Sequence, residues 1–190
     1  MKFGLLFTGQ LSREDLSCPS FGQDAVPGEG ALGAVTNLNP EFCVRKEIDM
    51  DIFDRIMELS ASGYYCSQIM AILLLEMTEE ENDGLVRAMG GLCGGVGYSN
   101  GCCGCMTGGC CLISYFTGKG GENEMDLEEH KPVMKAFTDW FTEEMQMEHG
   151  GIECSDIIRG NPAKRVQYCP QIIAASFEKC MELLQEEGII

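Results

Sequence analysis

An all-α fold is what this chain predicts. Apolar residues recur three and four apart over most of residues 47–190, glycine or proline closes each run, and no stretch alternates with the period of a strand. At 190 residues and 45% apolar content the chain can bury one sizeable core, so the runs read as a compact multi-helix bundle without internal repeats. Residues 1–46 stand apart. Rich in Gly, Pro and Asn, as in "CPSFGQDAVPGEGALGAVTNLNPEFC", they are expected to form an irregular arm carrying Cys18 and Cys43.

The first helix is expected from residue 47, where Ile48, Ile52, Ile56 and Leu59 share a face and Gly63 ends the run. A second starts near Tyr65. Its run "CSQIMAILLLEM" is apolar on nearly every side, as suits a helix at the centre of a bundle. A short helix around 85–89 leads into "GGLCGGVGYSNG", whose glycines prevent regular structure and let the backbone approach a neighbour closely. A further helix is predicted over 103–116 with Gly118 as its stop. A longer one covers 124–148, with Met134, Phe137, Phe141 and Met145 on one face and a kink or break at Lys131-Pro132. A turn of helix follows at "CSDIIRG", and a last helix begins after Cys169-Pro170, proline being suited to the first helical position.

The formal charge of −17, with only 13 Lys and Arg, argues against nucleic acid as a partner. Acidic helix faces account for the excess, although such a surface could also steer a basic protein partner. The longest apolar run, "IMAILLL", is too short to span a membrane, and "MKFGLLFTGQLSRED" lacks the pattern of a secretion signal. A cytoplasmic location is therefore expected. Twelve cysteines in a reducing compartment argue for metal binding or transient redox chemistry ahead of structural disulfides.

Four of them, Cys66, Cys103, Cys154 and Cys169, lie at or near predicted helix N-termini, where free N–H groups and the helix dipole favour thiolate over thiol. Thiolate is the form that attacks disulfides and ligates metals. Cys180 shares an apolar face with Phe177, Met181 and Leu184 and reads as packing.

The segments around the same four cysteines resemble those of a family named for its C-GCAxxG-C-C pattern and for redox activity, over roughly residues 48–188. "GYYCSQIM" resembles the family's first cysteine motif, and "CGCMTGG" from Cys103 to Gly109 its Cys-Gly-Ala-x-x-Gly signature. "GGIECSDII" and "YCPQII" resemble the segments of the last two cysteines. The resemblance implies that Cys66, Cys103, Cys154 and Cys169 are the family's four characteristic cysteines and form a cofactor-binding or redox site. This chain has Cys105 at the family's alanine and adds Cys93, Cys102, Cys110 and Cys111.

Those additions extend the candidate metal-ligating set to Cys66, Cys93, Cys102, Cys103, Cys105, Cys110, Cys111, Cys154 and Cys169. The first expectation is an iron–sulfur cluster, held typically by four cysteine thiolates with loop N–H groups directed at the sulfurs, exchanging electrons with a protein partner. Metal-free thiol–disulfide chemistry comes second. Zinc or another thiophilic metal comes third, because the paired C-x-x-C knuckles of a structural zinc site are missing. Haem is excluded in its c-type form, since Met106 follows the Cys102–Cys105 spacing where histidine is required. Self-association into a homo-oligomer stays open, as does a non-enzymatic interaction module. Elsewhere the signals are weak. His130 and His149 read as surface residues, Gly94, Gly95 and Gly97 lack the Lys-Ser/Thr of a phosphate loop, and the methionines of 125–147 read as core.

Overall fold

The computed structural model describes residues 52–190. The expected 1–46 arm, with Cys18 and Cys43, and the start of the first helix lie outside the described residues. Helix α1 occupies residues 52–61, buries Ile56 and Leu59, and ends where Gly63 turns left-handed at φ +91°. Helix α2 (Cys66–Met77) buries Ile69, Met70, Leu73 and Leu74 and packs on α3 (Asp83–Met89), α4 (Gly104–Thr117) and α7 (Ala163–Glu186). It is the central helix that its all-round apolar run predicts. Asn82 starts α3 by accepting the Leu85 N–H at 2.9 Å, and a single 3₁₀ turn, Gly90–Leu92, leads into the Gly-rich loop. Helices α5 (His130–His149) and α6 (Cys154–Ile158) complete the set. Phe137 and Phe141 from α5, Leu112 and Ile113 from α4, and Ile173 and Leu184 from α7 fill the shared core. Among the described residues extended pairing is confined to an isolated antiparallel bridge between Cys102 and Glu153. None of their helices is long and apolar enough to cross a membrane.

Two helix starts differ from the sequence expectation. Helix α5 begins at His130 rather than near 124, because the Glu124 carboxylate turns back to accept the N–H groups of Gly120 and Gly121 at 2.9 and 2.8 Å and holds its own residue in a turn. Pro132 consequently falls in the first helical turn, where its missing N–H has no helical partner to lose, so the expected kink or break at Lys131-Pro132 is not needed. The buried stripe is Val133, Phe137, Phe141 and Met145, with Met134 only partly buried, while Met125 and Met147 are exposed.

Helix α7 begins at Ala163, not after Cys169. Asn161 accepts the Ala163 N–H at 3.1 Å through its side chain, and Pro162 precedes the first turn, so the Asn-Pro pair supplies the start that Cys169-Pro170 was expected to give. Pro170 sits inside the helix and removes the N–H that would meet the Val166 carbonyl. Val166 is 74% exposed, which lets water take that place.

The crossing of α4 and α5 is set by Gly109. A Cβ there would fall 2.3 Å from Phe137 Cζ, and Phe137 is fully buried, so the ring has no room to yield. Gly109→Val is expected to lower the free energy of unfolding by about 2–3 kcal/mol through overpacking. Urea denaturation checks this; an unchanged midpoint would mean that the crossing can open without cost.

Candidate functional site: a thiol-lined cavity

Cys66 is the first residue of α2, Cys103 the N-cap of α4 and Cys154 the first residue of α6. Cys169 is the exception to the helix-end pattern: the early start of α7 places it mid-helix, one position before Pro170. Backbone hydrogen bonds join the segments before α4 and α6. The Cys103 N–H donates to Ile152 O at 3.0 Å, Cys154 N–H to Gly101 O at 2.8 Å, and Ser155 N–H to Asn100 O at 3.0 Å. This short ladder brings together Cys103 and Cys154, which are distant in sequence.

All four cysteines line one cavity of about 360 Å³, which they share with Gly94. Behind it lie further thiols. Cys105 and Cys93 are near enough to Cys66 to act on its charge, and Cys105 and Cys154 near enough to Cys103 to do the same. Cys93 is fully buried and Cys105 is 1% exposed. Ser67 Oγ lies 3.0 Å from Cys93 Sγ while donating to the Met89 carbonyl at 2.8 Å. The result is one group of thiols, Cys93, Cys66, Cys105, Cys103 and Cys154.

Charge within that group is uneven. The Cys66 thiol is lowered to about 3, first by the Cys105 thiol, then by that of Cys93, with the Gly94 and Ser67 N–H groups adding to both. Cys103 is also held well below an ordinary thiol, by Cys105 and Cys154. Cys105, Cys93 and Cys154 are pushed up, each chiefly through the action of one of those two sulfurs. Cys105 has one proton for two neighbours, so Cys66 and Cys103 compete for it. Burial pushes Cys169 up to about 12, with the charges of Cys103 and Cys66 adding and Arg165 opposing.

The loop that brings Gly94 to the cavity wall with Cys66 is wound left-handed. Gly94, Gly95, Val96, Gly97 and Tyr98 have φ between +57° and +77°, and Asn100 has +64°. Val96, Tyr98 and Asn100 each carry strain of roughly 1–3 kcal/mol in that region. The loop closes on itself through Asn100 N–H to Gly94 O at 2.9 Å and Gly101 N–H to Gly95 O at 3.2 Å, and a Cβ on Gly95 would lie 2.4 Å from the Gly101 backbone.

The family model described as "Putative redox-active protein (C_GCAxxG_C_C)" matches residues 64–183, which include every cysteine of the cavity. The chain belongs to this family. Comparison with curated proteins finds no match, and neither does comparison with solved structures.

Two glycines of the segment that matches the C_GCAxxG_C_C signature, its first glycine Gly104 and the inner Gly108, acquire a physical role here. A Cβ on Gly104 would stand 2.4 Å from Cys66 Sγ, and one on Gly108 would stand 3.2 Å from Ser67 Cα. Both are needed for α4 to approach the start of α2. Aligned on the family's Gly-Cys-Ala-x-x-Gly pattern, Gly104-Cys105-Met106-Thr107-Gly108-Gly109 gives the match, so the expectation that Cys105 stands at the alanine is corrected: Met106 is there, and Cys105 is the signature cysteine, acting on both Cys66 and Cys103.

The other cysteines are less central. Cys102 is turned toward Met106, 3.5 Å between their sulfurs. Cys110 is partly buried against the core, and Cys111 is exposed. Cys180 is fully buried with its sulfur 3.7 Å from Gly109 O. The clustered thiols of 102–111 therefore divide, with Cys103 and Cys105 joining the group and Cys110 and Cys111 facing away from the cavity. Among the described residues no group of three or more His, Cys, Asp or Glu side chains is arranged to hold a metal ion. Neither histidine is a free surface group. His130 Nδ1 is 2.7 Å from the buried Thr117 Oγ1, and His149 packs on the Tyr168 ring.

Sequence reasoning missed the rim of the cavity. Met57, Tyr64, Tyr65, Arg165 and Val166 line it, and Tyr65 meets Tyr98 edge-on at 5.5 Å. The Tyr64-Tyr65 pair directly before Cys66 was the available signal.

Proposed function

We propose that the protein is a thiol–disulfide redox protein in which Cys66 is the attacking thiolate and Cys105 the thiol that closes the disulfide. The observation that carries this reading is that Cys66 stands on the cavity wall with Gly104, the neighbour of Cys105, packed directly on its sulfur, so that the buried Cys105 thiol is near enough to stabilise its thiolate. The Cys66 sulfur attacks one sulfur of a substrate disulfide. A mixed disulfide forms, the substrate S–S bond breaks, and one substrate thiolate leaves with the electron pair. Cys105 then attacks Cys66 Sγ, passing its proton to the Cys103 thiolate, and the second substrate thiolate leaves. The protein dithiol is oxidised by two electrons and the substrate is reduced by two. A dithiol reductant of the reducing cytosol returns the protein to its starting state.

Tandem mass spectrometry after one turnover is expected to find a Cys66–Cys105 disulfide. A Cys66–Cys103 disulfide would move the resolving role to Cys103, and no intramolecular disulfide at Cys66 would remove the reading.

One observation favours a second reading, an iron–sulfur protein that passes electrons to a protein partner: four cysteines from separate segments share the wall of one cavity. Their sulfurs would have to bind iron in place of acting on one another. Iron and sulfide analysis of anaerobically purified protein separates the two. Stoichiometric iron with sulfide selects the cluster, zinc at one per chain selects a structural site, and metal-free protein with titratable thiols selects exchange.

A further inference from the structure

We infer that the cavity takes a small, apolar organic disulfide bearing a carboxylate, and that Arg165 is the residue that selects it. The inference rests on the thiol–disulfide reading and adds the substrate class. Apart from thiols and phenols, the only ionisable side chain among the described residues lining the cavity is Arg165. No acid among the described residues lines it, although the chain carries 30 Asp and Glu. A cation lining such a cavity on a strongly acidic protein favours small anions there.

Among the described residues the Arg165 guanidinium is uncommitted. It makes no ion pair and no side-chain hydrogen bond with another described residue, in contrast to Arg55, which is held by Glu58 and Glu76. It lies close enough to Cys169 to oppose the upward push on that thiol. An anion bound at Arg165 is therefore held beside the sulfurs, in place to present its S–S bond to Cys66.

The walls decide the rest of the ligand. Met57, Ile69, Ile158, Val166, Pro170 and Ile173 offer apolar surface, and Tyr64 and Tyr65 offer aromatic rings. About 360 Å³ lies within the usual range for small-molecule sites, roughly 300–1,000 Å³. A protein disulfide would bring peptide N–H and C=O groups against walls with few partners for them, and each unpaired group would oppose binding. An aromatic or branched alkyl group places no such demand. The exchange is the one written above, with the first thiolate departing while its carboxylate remains at Arg165.

The test compares two aromatic disulfides on the reduced full-length protein, the anionic dithiobis(nitrobenzoate) and the neutral dithiodipyridine. Each is used at less than one equivalent, with the first adduct located by mass spectrometry. The first adduct is expected at Cys66. Arg165→Gln should slow reaction with the anionic reagent by about tenfold and leave the neutral one within about twofold. Arg165→Lys should restore most of the rate. Equal slowing of both reagents, or of neither, overturns the selection by Arg165 while leaving exchange at Cys66 in place. A first adduct at another cysteine overturns the exchange reading itself. Faster reduction of insulin than of either small reagent would replace the proposed substrate by a protein.

Discussion

Cys66→Ser should reduce exchange with an aromatic disulfide to the rate of the remaining thiols, with no adduct and no intramolecular disulfide at position 66. A hydroxyl at the same place is not ionised near neutral pH and cannot form the mixed disulfide. The pH dependence of the wild-type protein carries the sharper expectation. The folded Cys66 thiol is lowered to about 3, below the roughly 8.5 of a free thiol. Its thiolate is thus present throughout the neutral range and is lost only as pH falls through the folded value. Iodoacetamide labelling of Cys66 should be flat from about pH 5 upward and decline toward pH 3, whereas an ordinary thiol gains about tenfold per pH unit up to roughly pH 8.5. Labelling of Cys66 that climbs in the ordinary way would show that Cys105, Cys93 and the Gly94 N–H do not stabilise its charge.

Gly104→Ala is expected to separate the site from the fold. The added Cβ would fall 2.4 Å from Cys66 Sγ, and this sulfur, one carbon from its backbone, is what must swing aside. The influence of Cys105 is then lost, and Cys66 returns toward an ordinary thiol. Alanine within a helix is favoured over glycine by about 1 kcal/mol, which offsets the crowding against the Leu92 carbonyl at 3.2 Å. Stability should stay within about 1 kcal/mol of wild type while low-pH labelling of Cys66 disappears. Labelling at pH 5 together with urea denaturation tests both halves. Retention of low-pH reactivity would mean that Cys66 does not depend on Cys105.

The helices were legible where the apolar period decides them. Ile56 and Leu59, the all-round apolar α2, and the Phe137, Phe141 and Met145 stripe all follow from spacing. Boundaries were illegible where one side chain outweighs the period, as Glu124 does by holding a turn and as Asn161 does by starting α7 before Cys169-Pro170. The cavity was half legible. Thiolate-favouring positions at helix starts point to Cys66, Cys103 and Cys154, and the segment resemblance adds Cys169 despite its mid-helix place. Arg165 and Val166 could not be foreseen because nothing in their own neighbourhoods distinguishes them. They gain a role only when α7 and the start of α2 meet, which depends on packing rather than on local pattern.

The ladder between 100–103 and 152–155 also dictates when the site comes into being. Cys103 and Cys154 are joined by backbone pairing between segments separated by all of α4 and α5, and non-local pairings of this kind form late because a long loop must close first. A chain emerging from synthesis has its early cysteines free before Cys154 and Cys169 exist. An oxidant met at that stage would fix wrong partners. The cavity is therefore expected to form only once two short backbone segments have met, so refolding with the thiols kept reduced should recover it better than refolding under an oxidant.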